Sequence, residues 1–328
     1  MRTSIYKKEV QAEPGCISGG VQPKKSRMKK QLYDNRFLLL MLLPAVVYVI
    51  IFNYIPMGGI VIAFKNYNYT DGIFGSPWNG FENFKYMIIS HKLWPLTRNT
   101  LLYNLAFISI GTILQLILAV FLSELSGRVF KKFTQSAMLL PYFISWVVVS
   151  SIMLNIFGYE HGVLNNLRAS LNKEPVDIYG NPTTWPFVMI ALNQWKNAGY
   201  GSIIYLAAIT GIDQEIYEAA DIDGANIWQR IFKITLPCIK PTVIIMLLLS
   251  LGQVFRGDFG MFYQIVKNNQ ILLGTSDIID TFVYRSLISS PDIGMSAAAG
   301  LYQSILCFIT IMVADFAVKK IDPDYALF

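Results

Sequence analysis

The chain has 328 residues, of which 54% are hydrophobic and only 15% are charged, and its formal net charge is +6. A soluble domain usually carries about a quarter charged residues, so a soluble protein with an unusually apolar core is only a minor alternative. Three cysteines without a CxxC spacing and two histidines provide no disulfide pattern and no cluster of metal ligands. We therefore expect no metal site.

Residues 1–36 form a basic N-terminal tail that contains nine Lys and Arg residues, most densely within residues 24–30. Such a tail could contact anionic lipid headgroups, at about 1 kcal/mol for each basic residue near the surface. The interpretation that we favour is a solvated cytoplasmic tail that fixes the orientation of the chain.

Six apolar segments follow, and they predict an all-α, polytopic membrane bundle over residues 37–320. Most of them reach the ~20 residues that cross a bilayer as a helix. The first could continue towards Phe64, and the fifth, which is short, could reach from Lys240 to Phe259. The predicted spans are about 37–54, 101–122, 137–157, 185–209, 241–254 and 296–318.

The distribution of basic residues orients this bundle. With the N-terminus inside the cell, seventeen of the 27 Lys and Arg residues lie in cytoplasmic segments, nine lie outside, and Lys196 lies within a span. Cytoplasmic loops carry the excess of positive charge in membrane proteins. Both termini are therefore predicted to be cytoplasmic. The net charge reflects this topology, so we expect no nucleic-acid binding.

The predicted cytoplasmic loop 211–237, between the fourth and fifth spans, has the pattern of a helix, a turn and a second helix. Asp213 is a suitable N-cap, and the acidic residues that follow it suit the positive end of a helix. Gly224 provides the bend, and Pro237 is expected to end the second helix before the fifth span.

This loop has the composition of a docking surface for another protein. Ala219, Ala220 and Gly224 allow close approach of a partner backbone, and Glu218 offers a carboxylate to a basic residue. The alternative is an amphipathic helix on the membrane surface. Its excess of acidic residues disfavours that alternative, because surface helices are rich in Lys and Arg.

Glu218-Ala219-Ala220, three residues, Gly224, nine residues and Ile234-Thr235-Leu236-Pro237 resemble, position for position, the EAA loop of ABC-importer permeases. Over about residues 33–318 the chain is similar to the polysaccharide and oligosaccharide branch of that family, which is related to maltose-type importers. Further matching stretches are Asn53–Gly59, Ala63–Lys65, Arg98–Leu101, Phe143–Trp146, Ile204–Ala208 and Asp280–Arg285.

The resemblance implies the type I ABC-importer permease fold in the bacterial cytoplasmic (inner) membrane. It also implies that loop 211–237 is the coupling region that sits in a cleft of the ATPase and moves with it. Glu218 would pair with a basic ATPase residue, and Gly224 would set the geometry of the loop. The implied ATPase-coupling residues are Glu218, Ala219, Ala220, Asp223, Gly224, Leu236 and Pro237.

The partners that the resemblance implies are a second permease subunit, most simply a paralogue in a heterodimeric permease, a dimer of ABC ATPases and an extracytoplasmic solute-binding protein. The chain contains no G-x-x-x-x-G-K-[ST] phosphate loop. We therefore predict no catalytic residue and no cofactor in this chain, with ATP and Mg bound by the partner ATPase subunits.

Polar residues within the predicted spans are candidates for the substrate pathway, because such residues are costly in lipid and usually face a cavity or another helix. Four of them recur at helical spacing in span four, beside an aromatic residue that could stack on a sugar ring. The candidates are Asn193, Trp195, Lys196, Asn197, Tyr200, Gln253, Arg256 and Gln303. Half of such residues could instead bond to neighbouring helices.

The predicted cargo is an oligosaccharide, and the charges of Lys196 and Arg256 raise an acidic sugar as one possibility. Another small solute is the runner-up for the cargo. An ion-coupled secondary transporter would use buried carboxylates, and Asp315, near the end of span six, is the single one within the predicted spans. A membrane-embedded enzyme would need a larger soluble segment or a carboxylate cluster.

Overall fold

The structure is a computed structural model, and it describes residues 35–289 and 292–321. The predicted basic tail lies outside these residues, except for Asn35 and Arg36. Within the described residues the chain is helical, and an isolated antiparallel bridge between Lys65 and Trp78 is the β pairing found there.

Fourteen helices are numbered here in chain order, and shorter helical segments connect some of them. Two of these segments have π-helical hydrogen bonding, Ile50–Tyr54 and Ile231–Thr235, and one, Gly58–Phe64, is a 3-10 helix. The helices are α1 (Arg36–Val49), α2 (Glu82–Ile89), α3 (Leu93–Glu124), α4 (Arg128–Phe143), α5 (Trp146–Phe157), α6 (Val163–Ser170), α7 (Trp185–Thr210), α8 (Gln214–Ile222), α9 (Ile227–Arg230), α10 (Leu236–Leu251), α11 (Phe259–Val266), α12 (Gln270–Ser276), α13 (Ile279–Ser289) and α14 (Ile293–Ile321).

Four helical stretches of the described chain are long and apolar enough to cross a membrane. They are Arg36–Phe64, Leu93–Glu124, Ile227–Leu251 and Ile293–Lys320, and the bent pair α4–α5 would be a fifth. Helix α7 has 26 residues, but Asn193–Tyr200 make its middle polar, and it is not among them. The membrane crossing of α7 stays a prediction.

The first stretch runs without a break to Phe64, ten residues beyond the shorter predicted end. Pro44 lies inside α1, and Pro56 lies at the start of the short helix Ile55–Met57. Both prolines thus lie within the continuous helical stretch, and Pro56 comes just after the π-helical residues Ile50–Tyr54. Of the described residues, 35–58 belong to one unit, and those from Gly59 onwards belong to a second unit that contains everything described below.

Helix α3 begins at Leu93, eight residues before the predicted span. Half of the added residues are polar, and two threonines among them bond back to their own helix: Thr97 Oγ1 donates to Leu93 O at 2.8 Å, and Thr100 Oγ1 donates to Leu96 O at 2.7 Å. Hydropathy does not detect helical turns whose polar side chains bond to their own backbone, so the predicted span began too late.

The third predicted span, 137–157, is not one helix. Helices α4 and α5 meet at about 90°. Pro141 lies in the last turn of α4, Ile144 and Ser145 are extended, and the Ser145 side chain accepts the Val148 N–H to begin α5. A proline removes a helical hydrogen bond and crowds the preceding turn, which accounts for a break at this point.

The fifth span also differs from its prediction. The chain is helical from Ile227 to Leu251, through the π segment, and Pro237 lies in the first turn of α10. Pro237 therefore does not end the second helix of the loop: the helical backbone continues across it, just after the π segment Ile231–Thr235. Three short helices, α11, α12 and α13, follow in a region for which the sequence predicted only a long loop.

Among the residues that the structure describes, buried side chains form three clusters. The largest joins α3, α5, α7, α11 and α12 through residues such as Tyr103, Met153, Trp185 and Phe262. A second gathers Met87, Leu96, Phe282 and their neighbours around the start of α3. The third, with Leu122, Leu206 and Ile239, lies where α3, α7 and α10 approach loop 211–237. The third cluster thus packs against loop 211–237 through Ile212 and Leu236, and the first contains Trp185 and Met189 of helix α7.

Candidate coupling loop and translocation cavity

Helix α8 begins with a local cap. Asp213 accepts the Glu215 N–H on its side chain at 3.1 Å, as an N-cap residue does for the free donors of a first turn. Glu215 adds negative charge to that turn, where the helix dipole favours it. The sequence prediction of a capped helix at this point agrees with the structure.

Gly224 closes α8 with a C-terminal turn that needs a positive φ. Its φ is +75°. The Ala225 N–H donates to Ala220 O at 2.9 Å, and the Gly224 N–H donates to Asp221 O at 3.1 Å. This is the Schellman arrangement, in which glycine is favoured because other residues are strained at positive φ. A Cβ at Gly224 would meet nothing within 4 Å, so the requirement comes from the backbone alone.

The second helix of the loop has a capping box of its own. Asn226 Oδ1 accepts the Gln229 N–H at 2.9 Å, and Gln229 Oε1 accepts the Asn226 N–H at 2.8 Å. Two of the free donors at the start of α9 are therefore satisfied reciprocally. The loop is a preformed structure within this chain.

Arg230 connects the loop to the bundle. Its guanidinium donates to Asp221 Oδ1 at 2.7 Å and to Glu124 Oε2, at the end of α3, at 3.2 Å. Tyr217 and Thr235 join α8 to the end of the π segment through their hydroxyls, 2.9 Å apart. Neither Arg230 nor Tyr217 was predicted from the sequence to be important. For Arg230 one indication was available, since it is the single arginine in a loop rich in acidic residues.

The outward surface of the loop combines carboxylates with apolar side chains. Glu218, Ala219, Asp223, Gly224 and Pro237 are exposed, and Ala220 is half-buried. Ile222 is 87% exposed, and Trp228 is 66% exposed. Contiguous apolar exposure with a polar rim marks interaction sites.

Leu236, the remaining predicted coupling residue, is not part of the outward surface. It is half-buried and packs against the cluster of Leu206 and Ile239. Its side chain supports the loop from below instead of forming part of the outward surface.

A cavity of about 370 Å³ lies between α3, α7 and α10. Four of the predicted pathway residues line it: Asn193 and Asn197 from α7, and Gln253 and Arg256 from the turn after α10. Other polar residues that line the cavity were not predicted from the sequence. They are Asn104, Thr112 and Gln115 from α3, Tyr205 from α7, Ser250 from α10, and Asp258 from the turn after α10. Their one indication was polarity inside or beside predicted spans.

The other four predicted pathway residues lie elsewhere. Lys196 is 8% exposed, and its ammonium donates to the carbonyls of Pro141 at 3.3 Å, of Tyr142 at 2.8 Å and of Ile144. These carbonyls lie at the end of α4 and the break after it, where a helix leaves its last carbonyls without helical partners; Pro141 O also accepts the Ile144 N–H at 3.2 Å. Lys196 therefore caps the broken helix, and its charge is not presented to the cavity.

Trp195 and Tyr200 are each 47% exposed, and neither lines the cavity. The Tyr200 ring stacks on Tyr142, with centroids 4.3 Å apart and planes 8° from parallel. Tyr200 thus supports the end of α4 from the same side as Lys196.

Gln303, in α14, donates from Nε2 to Phe255 O at 2.7 Å and to Asp280 Oδ2 at 2.9 Å. The same carboxylate oxygen accepts the Gly257 N–H at 2.8 Å. Burial raises the pKa of the Asp280 carboxyl, while these hydrogen bonds and the nearby Arg256 charge favour its ionised form. Gln303 therefore binds backbone and Asp280, not the cavity.

Asp258 anchors the following residues. Its Oδ2 accepts the Trp146 Nε1–H at 2.8 Å, and its Oδ1 caps α11 by accepting the Met261 N–H at 3.0 Å. Ser150 Oγ donates to Gln264 O at 2.6 Å, so α5 holds α11 at two points. In the described residues, no group of three His, Cys, Asp or Glu side chains could hold a metal ion.

Comparison with known proteins places this architecture in a family. Residues 111–323 match the family described as the binding-protein-dependent transport system inner membrane component. Protein LplB of Bacillus subtilis is 35% identical over 89% of this chain and 92% of its own length. The polygalacturonan/rhamnogalacturonan transport system permease protein YteP of the same organism is 33% identical over 90% of this chain and 92% of its own.

Among solved structures, a chain of a bacterial ABC transporter involved in the import of the acidic polysaccharide alginate superposes with a TM-score of 0.81. It is 30% identical, and the match covers 90% of this chain and 99% of that one. The predicted type I permease fold is confirmed. The chain belongs to the inner-membrane components of binding-protein-dependent transport systems.

Proposed function

We propose that this chain is the permease subunit of an ABC importer that takes up an acidic oligosaccharide. The observation that carries the proposal is the composition of the cavity between α3, α7 and α10. The side-chain amides of Asn104, Asn193, Asn197 and Gln253 line it together with hydroxyls such as those of Thr112 and Ser250, and Arg256 adds a permanent positive charge.

This lining suits a sugar that carries carboxylates. Side-chain amides both donate and accept hydrogen bonds, as sugar hydroxyls do. A guanidinium binds a carboxylate through two parallel hydrogen bonds. Since Lys196 is committed to backbone carbonyls, Arg256 is the basic residue to which the proposal assigns cargo charge.

The names of related proteins support the class of cargo. YteP is named for polygalacturonan and rhamnogalacturonan, and the superposed structure comes from an importer of alginate. Other relatives are named for neutral sugars, such as the trehalose/maltose permease MalF of Thermococcus litoralis. The Arg256 guanidinium is what favours an acidic cargo over a neutral one, because the Asp258 carboxylate that also lines the cavity is bonded to Trp146 Nε1–H and to the Met261 N–H.

The energy source in this proposal is a separate pair of ATPase subunits, which bind ATP and Mg. Loop 211–237 would dock in a cleft of one ATPase, with Glu218, Ile222 and Trp228 at the contact. A second permease subunit, a paralogue, would complete the pathway. A solute-binding protein would deliver the cargo from outside; the alginate transporter has been crystallised with its alginate pentasaccharide-bound periplasmic protein.

The orientation in this proposal places both termini and loop 211–237 in the cytoplasm of the cell. The positive charges of the tail, of the α3–α4 connection and of the loop support it.

The test is uptake into proteoliposomes that hold the complete transporter and its binding protein. Trigalacturonate and its neutral methyl ester serve as probes. We expect uptake of the acid that depends on ATP, and we expect Arg256→Gln to reduce the preference for the acid. Lys132→Gln, an exposed residue of α4 with the same change of charge, is the matched control. Equal uptake of both probes by the wild type would overturn the acidic cargo. Uptake driven by an ion gradient without ATP would overturn the energy source.

A further inference from the structure

The turn between α10 and α11, residues 252–258, carries Arg256 to the cavity. The Arg256 side chain is exposed and lines the cavity, but residues on both sides of it are buried or held. Phe255 is 8% exposed. The conformation of this short segment decides where the guanidinium can reach.

Two side chains from other helices bind the peptide groups that flank Arg256. Gln303 Nε2 donates to Phe255 O at 2.7 Å, on the N-terminal side. Asp280 Oδ2 accepts the Gly257 N–H at 2.8 Å, on the C-terminal side. The two side chains also bond to each other at 2.9 Å, so they form one connected unit.

The packing around Gly257 leaves little freedom for another arrangement. A Cβ at Gly257 would overlap the Ile278 side chain and lie 3.2 Å from Asp280 Oδ2. The backbone of the turn therefore lies directly against the start of α13. Asp258, held by Trp146, fixes the next residue.

We propose that Asp280 and Gln303 form a clamp that holds the backbone on both sides of Arg256 and thereby sets the preference of the cavity for acidic cargo. Asp280 is a positioning residue in this proposal, since its carboxylate binds the backbone and does not line the cavity of Arg256. The part that concerns cargo choice rests on the proposed function.

Asp280 belongs to one of the stretches that resemble the permease family, Asp280–Arg285, and the other residues of that stretch hold α13 in place. Thr281 Oγ1 accepts the Ile278 N–H at 3.1 Å and donates to Asp277 Oδ1 at 2.6 Å, which caps the start of α13. Arg285 pairs with Asp277, and Tyr284 packs on Phe259 and Tyr263 of α11. The stretch presents Asp280 to the turn and locks α13 against α11.

The experiment compares KM for trigalacturonate with KM for its methyl ester in proteoliposomes that contain the complete transporter. The same binding protein serves every variant, so differences between variants report on the permease. Arg256→Gln is expected to raise KM for the acid about tenfold, the loss of one charge-assisted hydrogen bond, with little change for the ester. Asp280→Ala is expected to do the same although Arg256 is present.

Asp280→Asn is the conservative variant. Its amide oxygen can accept both hydrogen bonds, so we expect the preference for the acid to return. The double variant Asp280→Ala/Arg256→Gln should be no worse than either single variant, because both act through one contact. An effect of Asp280→Ala that is equal for the two probes, or a preference that Asp280→Ala leaves intact, would overturn the positioning role.

Hydrogen exchange at the Gly257 amide distinguishes failure of the clamp from failure of the proposed function. Measured on the complete transporter, exchange at this amide should accelerate in Asp280→Ala and stay slow in Asp280→Asn. Exchange that is equally slow in Asp280→Ala would mean that the clamp does not exist. If exchange responds as expected but the wild type shows no preference for the acid, the clamp is real and both the acidic cargo and its tuning by Asp280 are wrong.

Discussion

The coupling loop and the cavity region are held together in opposite ways. In loop 211–237 the hydrogen bonds described above lie within the loop, as in the cap at Asp213, the turn at Gly224 and the box at Asn226, apart from the bond from Arg230 to Glu124. Around the cavity they join distant residues, such as Trp146 with Asp258 and Lys196 with Tyr142. A change to the outward surface of the loop should therefore alter contact with a partner and leave the fold intact. A change near the cavity should alter both.

Glu218→Lys tests the loop side of this comparison and should have the largest effect. Glu218 is exposed and makes no contact that its own helix needs for its caps. Reversing its charge should weaken assembly with the ATPase by about 3 kcal/mol, as expected for a charge lost from an interface, and abolish cargo-stimulated ATP turnover. Co-purification and ATPase assays measure both. The thermal stability of the isolated subunit should not change.

Glu215→Lys, on the same helix and with the same change of charge, is the control for this variant, and thermal unfolding measures separately the stability that it loses at the first turn of α8. If it disrupts assembly as strongly as Glu218→Lys, the overall charge of α8 matters, and the assignment to Glu218 fails.

Lys196→Met tests the cavity side. Removing the ammonium takes away the donor that Lys196 provides to Tyr142 O and Ile144 O, which should cost about 2 kcal/mol of stability. Thermal unfolding in detergent measures the loss of stability. Lys132→Met, at an exposed position of α4, is the control. The ratio of uptake of acidic to neutral probe should be unchanged. A shift in that ratio without loss of stability would return Lys196 to the substrate pathway.

Gly224→Ala sharpens the loop side, because the position is open but has a positive φ. A side chain in this conformation costs about 1 kcal/mol, which should appear as reduced stability of the α8–α9 turn by hydrogen exchange. Gly224→Asn should lose less, since asparagine tolerates this region. Equal effects of the two variants would indicate that a partner surface, and not φ, selects glycine here.

Asp221→Asn should have the smallest effect. The Asp221 side chain is 55% exposed, and ion pairs at such a surface contribute about 0.5 kcal/mol. Chemical denaturation in the presence of 0.1 and about 1 M salt should show the difference fading as the charges are screened. A loss of more than about 2 kcal/mol would mean that the Asp221–Arg230 pair does not behave as a surface ion pair.

The same contrast explains what could be predicted from the sequence. Asp213 and Gly224 act through their near neighbours, so spacing alone predicted their roles. Lys196 acts on carbonyls more than 50 residues away, at a break in α4–α5 that hydropathy read as one span. Its charge suggested a ligand site, whereas its nearest acceptors are backbone oxygens that only the fold brings to it.

The cavity was predicted in part for a related reason. Helical periodicity placed Asn193 and Asn197 on one face, and the structure turns that face to the cavity. Periodicity also grouped Lys196 and Tyr200 with them, because a face of α7 that meets α4 and a face that meets open space look alike in sequence. Which neighbour a polar face meets depends on the packing of the other helices.

Arg230 has a mechanical consequence. Through Glu124 it fastens the coupling loop to the end of α3, and the chain continues from Arg230 without interruption into α10. A push on α8 is therefore delivered to two long helices simultaneously, and support at two points suppresses swivelling of the loop about either one. The stiffness of this connection between the loop and the bundle, more than the affinity of the loop for the ATPase, would determine how much of the ATPase movement is transmitted to the cavity.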